Sequence, residues 1–291
     1  MSPLPAALVL ASTFLHAGWN LLAHARRGDP ALLWRAYVVT GLVGLPAVLG
    51  AGLQREIPGT VLGLAALSGL ALATYSTGLI AGYRSGEFTV VYPVARALPV
   101  LLLGLFDVAR GRAPSPLGWL GMGLVTLGCL MAPLRSLREI RRERYLNRTG
   151  LWVSVTALGT LGYSGLDKIA QETMFPGPGS ALRYILLQAL FTAPWLYLGL
   201  RLVARVPVSP GDAGRWRWGA VAGLFIAGAY GLVLWAYQLV PQVSYVVAFR
   251  QLSIVWGVLL GSWLFREPAR NLRLAAAGAI ACGVVLTGWP R

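Results

Sequence analysis

The chain has 291 residues, 56% of them hydrophobic and only 12% charged, and its mean hydropathy is +0.64. That much apolar surface cannot be hidden from water within one chain of this size, which excludes an ordinary soluble fold. The formal net charge of +15 would suit nucleic acid, but the arginines lie mostly in short connections between apolar runs, where they anchor helix ends and set topology, so no nucleic-acid partner is expected.

A hydrocarbon core of about 30 Å needs roughly 20 apolar residues per helix. By that measure ten spans are predicted, at 4–24, 30–52, 58–82, 88–109, 115–134, 149–170, 179–203, 216–240, 242–264 and 270–289. The expected fold class is an all-α integral membrane protein with no soluble domain left over. The first run lacks a basic stretch before it and is as long as its neighbours, so it reads as a span rather than a cleaved signal. It contains HAGWN, in which His16 and Asn20 lie one turn apart with Trp19 beside them. Their shared face reads as a lining wall between two halves. The alternative is glue between helices, since Asn and His bond across helices and Trp19 packs.

Arg35 opens the second span, and Tyr75 with Ser76 lies in the third. In the fourth, Tyr92 comes one turn before Arg96, with Pro93 and Pro99 freeing backbone carbonyls around it. A charge near the bilayer centre costs about 2.5–3.5 kcal/mol on insertion scales and faces a cavity or a partner. Arg96 and Arg250, the latter in the ninth span with Ser253 and Gly257, are therefore the leading candidates to touch a substrate. The alternative is that each arginine is permanently paired with helix-end carbonyls or Asp167 and holds the bundle together. The sixth span carries Tyr163 and Asp167, the seventh opens with Arg183, and the eighth holds Tyr230 and Trp235. The pairs Gly219/Gly223 and Gly257/Gly261 are tight packing sites first and dimerisation sites second, leaving monomer or homodimer open. Cys129 and Cys282 sit in apolar helices as small packing residues without metal-ligand spacing.

The second half slides over the first. Arg96 meets Arg250 at an offset of 154, Arg35 meets Arg183 at 148, and HAGWN falls over YSGLD, so that Gly18 meets Gly165 and Asn20 meets Asp167. Each half has five spans, an odd number, so the halves must cross the membrane in opposite senses. Residues 1–134 and 149–291 thus read as inverted five-helix repeats joined by a basic linker, 135–148. Loops after odd-numbered spans, with the linker, hold 16 arginines against 5 arginines and lysines on the other side. Cytoplasmic loops collect Lys and Arg, which places the linker inside and both termini on the periplasmic side of the cytoplasmic (inner) membrane.

Ten spans in two five-helix halves, an early arginine in the second helix of each, and GEFTVVYPVARALP before the last hairpin resemble the drug/metabolite transporter superfamily, most nearly its EamA-type family. FREPARNLRLAAAGAIACGVVL (265–286), where Glu267 precedes a glycine-containing last helix, is similar to that family's signature over helices 9 and 10. HAGWN resembles a first-helix motif of an EamA subgroup, some of whose members are associated with phosphonate-utilisation genes. The resemblance implies a secondary transporter working by alternating access, with cavity walls from the third and eighth helices, where Tyr75 and Tyr230 stand.

Among residues within the spans, Arg35, Arg96, Arg183, Arg250 and His16 outnumber Asp167 and Asp107. A cavity of that sign favours a small anionic or zwitterionic metabolite, and arginine suits carboxylate, phosphate or phosphonate oxygens. His16 titrates near neutral pH when unperturbed, which leaves proton coupling open beside facilitated diffusion or exchange. No HExxH, GxSxG, acidic metal cluster or nucleotide loop appears, so neither an enzyme, a metal site nor a cofactor is expected. A lipid or lipid-linked substrate flippase, or an assembly subunit, is the competing reading.

Overall fold

The computed structural model describes residues 1–26, 28–85, 88–132, 134, 148–256 and 270–288. The linker residues 135–147, Gly257, Gly261, Glu267 and the side chains of Tyr92 and Pro93 lie outside the described residues. Helices form α1 (Pro3–Ala25), α2 (Leu32–Leu53), α3 (Gly59–Ser85), α4 (Phe88–Ala109), α5 (Pro116–Met131), α6 (Arg148–Thr173), α7 (Pro178–Leu198), α8 (Ala213–Leu239), α9 (Val243–Arg250) and α10 (Arg270–Gly288). A π-helical turn, Gly199–Val203, continues α7, and after a turn at Gln251 the chain is helical again over 252–256. No strand occurs among the described residues.

Among the described residues six helices are long and apolar enough to cross a membrane, namely α1, α2, α3, α7, α8 and α10. The Pro116–Met131 and Val243–Trp256 helices are apolar but shorter. Length and hydropathy alone thus qualify six of the ten expected spans. The exterior carries large apolar side chains in the open, such as Leu42, Val43, Leu49, Leu67, Leu120 and Leu224. Water would not tolerate such a surface and lipid would, which fits a membrane-embedded helical protein.

Helix starts follow ordinary capping chemistry. Ser115 accepts from the Gly118 amide at 3.0 Å ahead of Pro116, and Asp212 accepts from the Arg215 amide at 2.9 Å. The start of α9 is capped from another helix: Asp107 of α4 accepts from the Val243 and Ser244 amides at 3.1 and 2.9 Å. A carboxylate on bare amides also meets the positive end of the helix dipole, so Asp107 locks α4 to α9.

Packing is matched between the halves. α1 packs on α8 as α3 packs on α6, α2 on α8 as α7 on α3, and α4 on α6 as α9 on α1. Three further pairs, α2 with α7, α4 with α9 and α5 with α10, join like-numbered helices of each half. Small residues permit these approaches. A Cβ on Gly44 would lie 2.6 Å from the Leu186 Cβ, and one on Gly219 would lie 2.7 Å from the Arg35 Cβ. Gly219 and Gly223 therefore pack α8 on α2 within one chain.

Pro46 in α2 and Pro194 in α7 share the 148-residue spacing of Arg35 and Arg183. Just beyond these helices, Arg55 and Arg205 adopt left-handed backbone, with φ of 57° and 52°. The connections gather at two ends. Residues after α1 and α7 and the last turns of α3 line one common basin, while those after α2 and α6 line another. The α4–α5 connection joins the second end through ion pairs of Arg110 and Arg112 with Glu172.

Candidate functional site

A cavity of about 50 Å³ lies where α1, α2, α3, α6, α7, α8 and α9 converge, with His16, Tyr37, Tyr75, Tyr163, Tyr230 and Arg250 on its walls. That is room for a few waters, not for a metabolite. Trp19 and Leu33 also line it, and the same two residues line a basin of about 610 Å³ at the end holding the α1–α2 connection. This vestibule is bounded further by Asn20, Arg26, Asp29 and Arg84. A basin of similar volume at the opposite end is walled by Glu56, Phe175 and Arg183 and shares no residue with the cavity. The cavity thus adjoins the vestibule through Trp19 and Leu33 and has no wall in common with the opposite basin.

Arg250 is the cavity's cation. Its guanidinium stands 5.3 Å from the centre of the Tyr230 ring, in the range of a cation–π contact, and Tyr163 lines the same cavity. Tyr163 meets both Tyr75 and Tyr230 edge to face, with centroids 5.6 Å apart in each case. The Tyr230 hydroxyl in turn donates to Asp167. Asp167 is fully buried and accepts also from Ser68, from Tyr184 at 2.7 Å, and from the Gln188 amide at 3.0 Å to each oxygen. Donors from α3, α7 and α8 thus converge on one carboxylate of α6. None of the described ion pairs involves Asp167.

Arg96 lies beside this cavity without lining it. Its Nε donates to Gln251 Oε1 at 2.9 Å and its Nη2 to the Arg250 carbonyl at 3.1 Å, while Nη1 is 2.9 Å from His16 Nε2. The expectation of two arginines facing one cavity is corrected to one facing it and one fastening α4 to α9 and α1. His16 also receives the Trp19 indole N–H on Nδ1 at 2.9 Å. Accepting the indole N–H on Nδ1 suits the neutral ring, because an imidazolium would donate there as well and would set a second positive charge beside the Arg96 guanidinium. Asn20 donates to the His16 carbonyl at 2.8 Å and borders the vestibule, not the cavity.

The second-helix arginines, expected among the binding residues, sit at the two ends of the bundle and do not line this cavity. Arg35 pairs with Asp29 and donates to the Ser209 and Pro210 carbonyls at 2.8 and 3.2 Å, while Arg183 pairs with Glu56. Each reaches the loop that follows the second helix of the other half, the nearest place to satisfy a guanidinium at a helix end. Lys168, next to Asp167 in α6, donates to the Tyr237 and Val240 carbonyls at 2.5 Å and pairs with Glu172 at 3.0 Å. Cations at exposed helix-end carbonyls are favoured by the dipole.

Sequence reasoning missed Tyr37 on the cavity wall and the trio Ser68, Tyr184 and Gln188 around Asp167. Gln188 carried a usable signal, a primary amide in the middle of an apolar helix. No family model matches the chain, and no curated protein does. Among solved structures, one described only as a crystal structure of a protein superposes with a TM-score of 0.67 at 17% identity, covering 97% of this chain and 95% of that one. At that identity the likeness speaks for the fold, an all-helical bundle over nearly the whole length.

Proposed function

We propose that this protein is a secondary transporter of the drug/metabolite superfamily type, EamA-like, that moves a small anionic or zwitterionic metabolite across the cytoplasmic membrane by alternating access. The observation that carries the reading is the cavity at Arg250, which shares its Trp19 and Leu33 walls with one vestibule and no residue with the basin at the other end. Matched packing of α1–α5 and α6–α10 supports ten spans in two inverted repeats, 1–134 and 149–291, because a rocking transporter needs two like bodies around a fixed site. Arg250, with the hydroxyls of Tyr75 and Tyr163 nearby, would meet carboxylate, phosphate or phosphonate oxygens. On the charge bias, the vestibule is the cytoplasmic mouth.

The test is a thermal-shift screen of the purified protein against amino acids, phosphonates, phosphate esters and organic cations, followed by uptake into proteoliposomes. Anions or zwitterions are expected to stabilise the protein, and Arg250→Gln to weaken that response by about tenfold to a hundredfold, the worth of one charge-assisted contact. Arg96→Gln should lower thermal stability more than Arg250→Gln does, since it strips bonds to two other helices. Stabilisation by organic cations alone would overturn the substrate class. Absence of uptake for every compound would overturn transport.

A further inference from the structure

We propose that Asp167 is the proton-coupling site of this transporter, and that Tyr230 ties its protonation to the presence of an anion beside Arg250. The inference rests on the transport reading above.

The geometry singles out Asp167 over His16, the imidazole on the cavity wall. His16 accepts the Trp19 N–H and lies 2.9 Å from Arg96 Nη1, so a proton added at Nδ1 gives up that bond and sets a second positive charge against a guanidinium. Asp167 faces acceptor-capable hydroxyls. When a proton binds Oδ2, the new O–H can donate to the Tyr230 oxygen, and the Tyr230 hydrogen, released from Oδ2, turns towards the cavity that its ring already lines. The bond made is Asp167 O–H. The Tyr230 hydroxyl no longer donates to the carboxylate, and its hydrogen becomes available to a cargo oxygen.

Charge gives the coupling its sign. Across the Tyr230 ring from Asp167 stands the Arg250 guanidinium. An anion bound to Arg250 takes up that cation's field and adds its own repulsion, and both favour a proton on Asp167. By reciprocity, a proton on Asp167 strengthens anion binding by the same factor. The other groups facing Asp167 do not compete for this role. Tyr184 of α7 donates to the carboxylate. Tyr163 of α6 lines the cavity with Arg250 and meets the Tyr230 ring edge to face. Tyr237 of α8 is buried close by, and Lys168 is taken by carbonyls and Glu172. From α4, Asp107 is held by the α9 amides and Arg96 by Gln251 and the Arg250 carbonyl. Ser68 and Gln188 are neutral.

Infrared difference spectroscopy of the full-length protein in liposomes reads the carboxylic-acid band directly as pH is lowered. The band is expected in the parent protein and absent in Asp167→Asn. If that variant does not fold, Asp167→Glu should shift the band's frequency, and an unshifted band there counts against the proposal. With benzoate or phenylphosphonate as the anion probe, the band's midpoint should rise by about one pH unit, a tenfold coupling of ordinary size. Tyr230→Phe, which keeps the ring and loses the hydroxyl, should retain the band and show a smaller rise, the through-space repulsion alone remaining. A band that survives Asp167→Asn, a midpoint unmoved by both probes, or an equal rise in Tyr230→Phe would each overturn the proposal. A midpoint displaced by sodium chloride and not by choline chloride would reassign the site to a metal cation. Active uptake with an unresponsive band would sink this inference alone, whereas a responsive band without uptake of any compound would sink the transport reading.

Discussion

The face of α1 at Asn20 and the face of α6 at Asp167 align in sequence and end up in opposite circumstances. Asn20 leans on its own helix at the His16 carbonyl and borders a basin of about 610 Å³. Asp167 is fully buried and gathers Ser68, Tyr184, Gln188 and Tyr230 from three other helices. An amide can satisfy much of itself on the backbone one turn away, so nothing obliges its neighbours to close over it. A carboxylate in an apolar bundle has only acceptors and a charge, and stability demands that donors be brought to it. Exchanging one atom group between matched positions thus goes with a self-satisfied side chain at one and a ring of donors at the other.

The largest effect should come from removing the carboxylate. Asp167→Ala leaves four donors facing no acceptor and is expected to destabilise the protein by about 2–4 kcal/mol, whereas Asn20→Ala should cost under about 1 kcal/mol. Thermal denaturation in detergent compares the two, and equal losses would erase the distinction. A second measurement concerns access. In a background with Cys129 and Cys282 replaced by serine, Asn20→Cys should react with a membrane-impermeant maleimide roughly tenfold or more faster than Ser68→Cys, because labelling at Ser68 requires the bundle to open. A ligand that inverted this ratio would show that the two ends exchange roles. The smallest effect tests whether the ends are alike where the comparison says they should be. Arg55→Gly and Arg205→Gly relieve left-handed backbone at matching positions after α2 and α7, and each should stabilise by up to about 1 kcal/mol. A gain at one position and a loss at the other would mean that the two loops are held differently.

How much of this was readable beforehand depended on whether a residue's partner was implied by its own chemistry. A guanidinium or carboxylate inside an apolar run advertises a partner, so Arg96, Arg250 and Asp167 stood out. What the partner would be did not follow, since it comes from elements distant in sequence: Gln251 for Arg96, Ser68 and Gln188 for Asp167. Arg35 and Arg183 looked like cavity residues because their helices are apolar. They lie near helix starts, though, where a loop carboxylate such as Asp29 or Glu56 is the shorter reach. Tyr37 resembled any tyrosine in a membrane helix, and only the convergence of α1, α2, α6 and α8 makes it a wall.

The seam between α5 and α10 shows what a wall made of backbone implies. A Cβ on Gly121 would lie 2.5 Å from the Gly283 carbonyl oxygen, and one on Gly283 would lie 2.4 Å from that of Gly121. Side chains give way by changing rotamer, but main chain in a helix has no such freedom, and small-residue seams draw their strength from closeness. The seam therefore has no slack: α5 and α10 must travel as a single plate, and any motion that opens the molecule has to pivot around them.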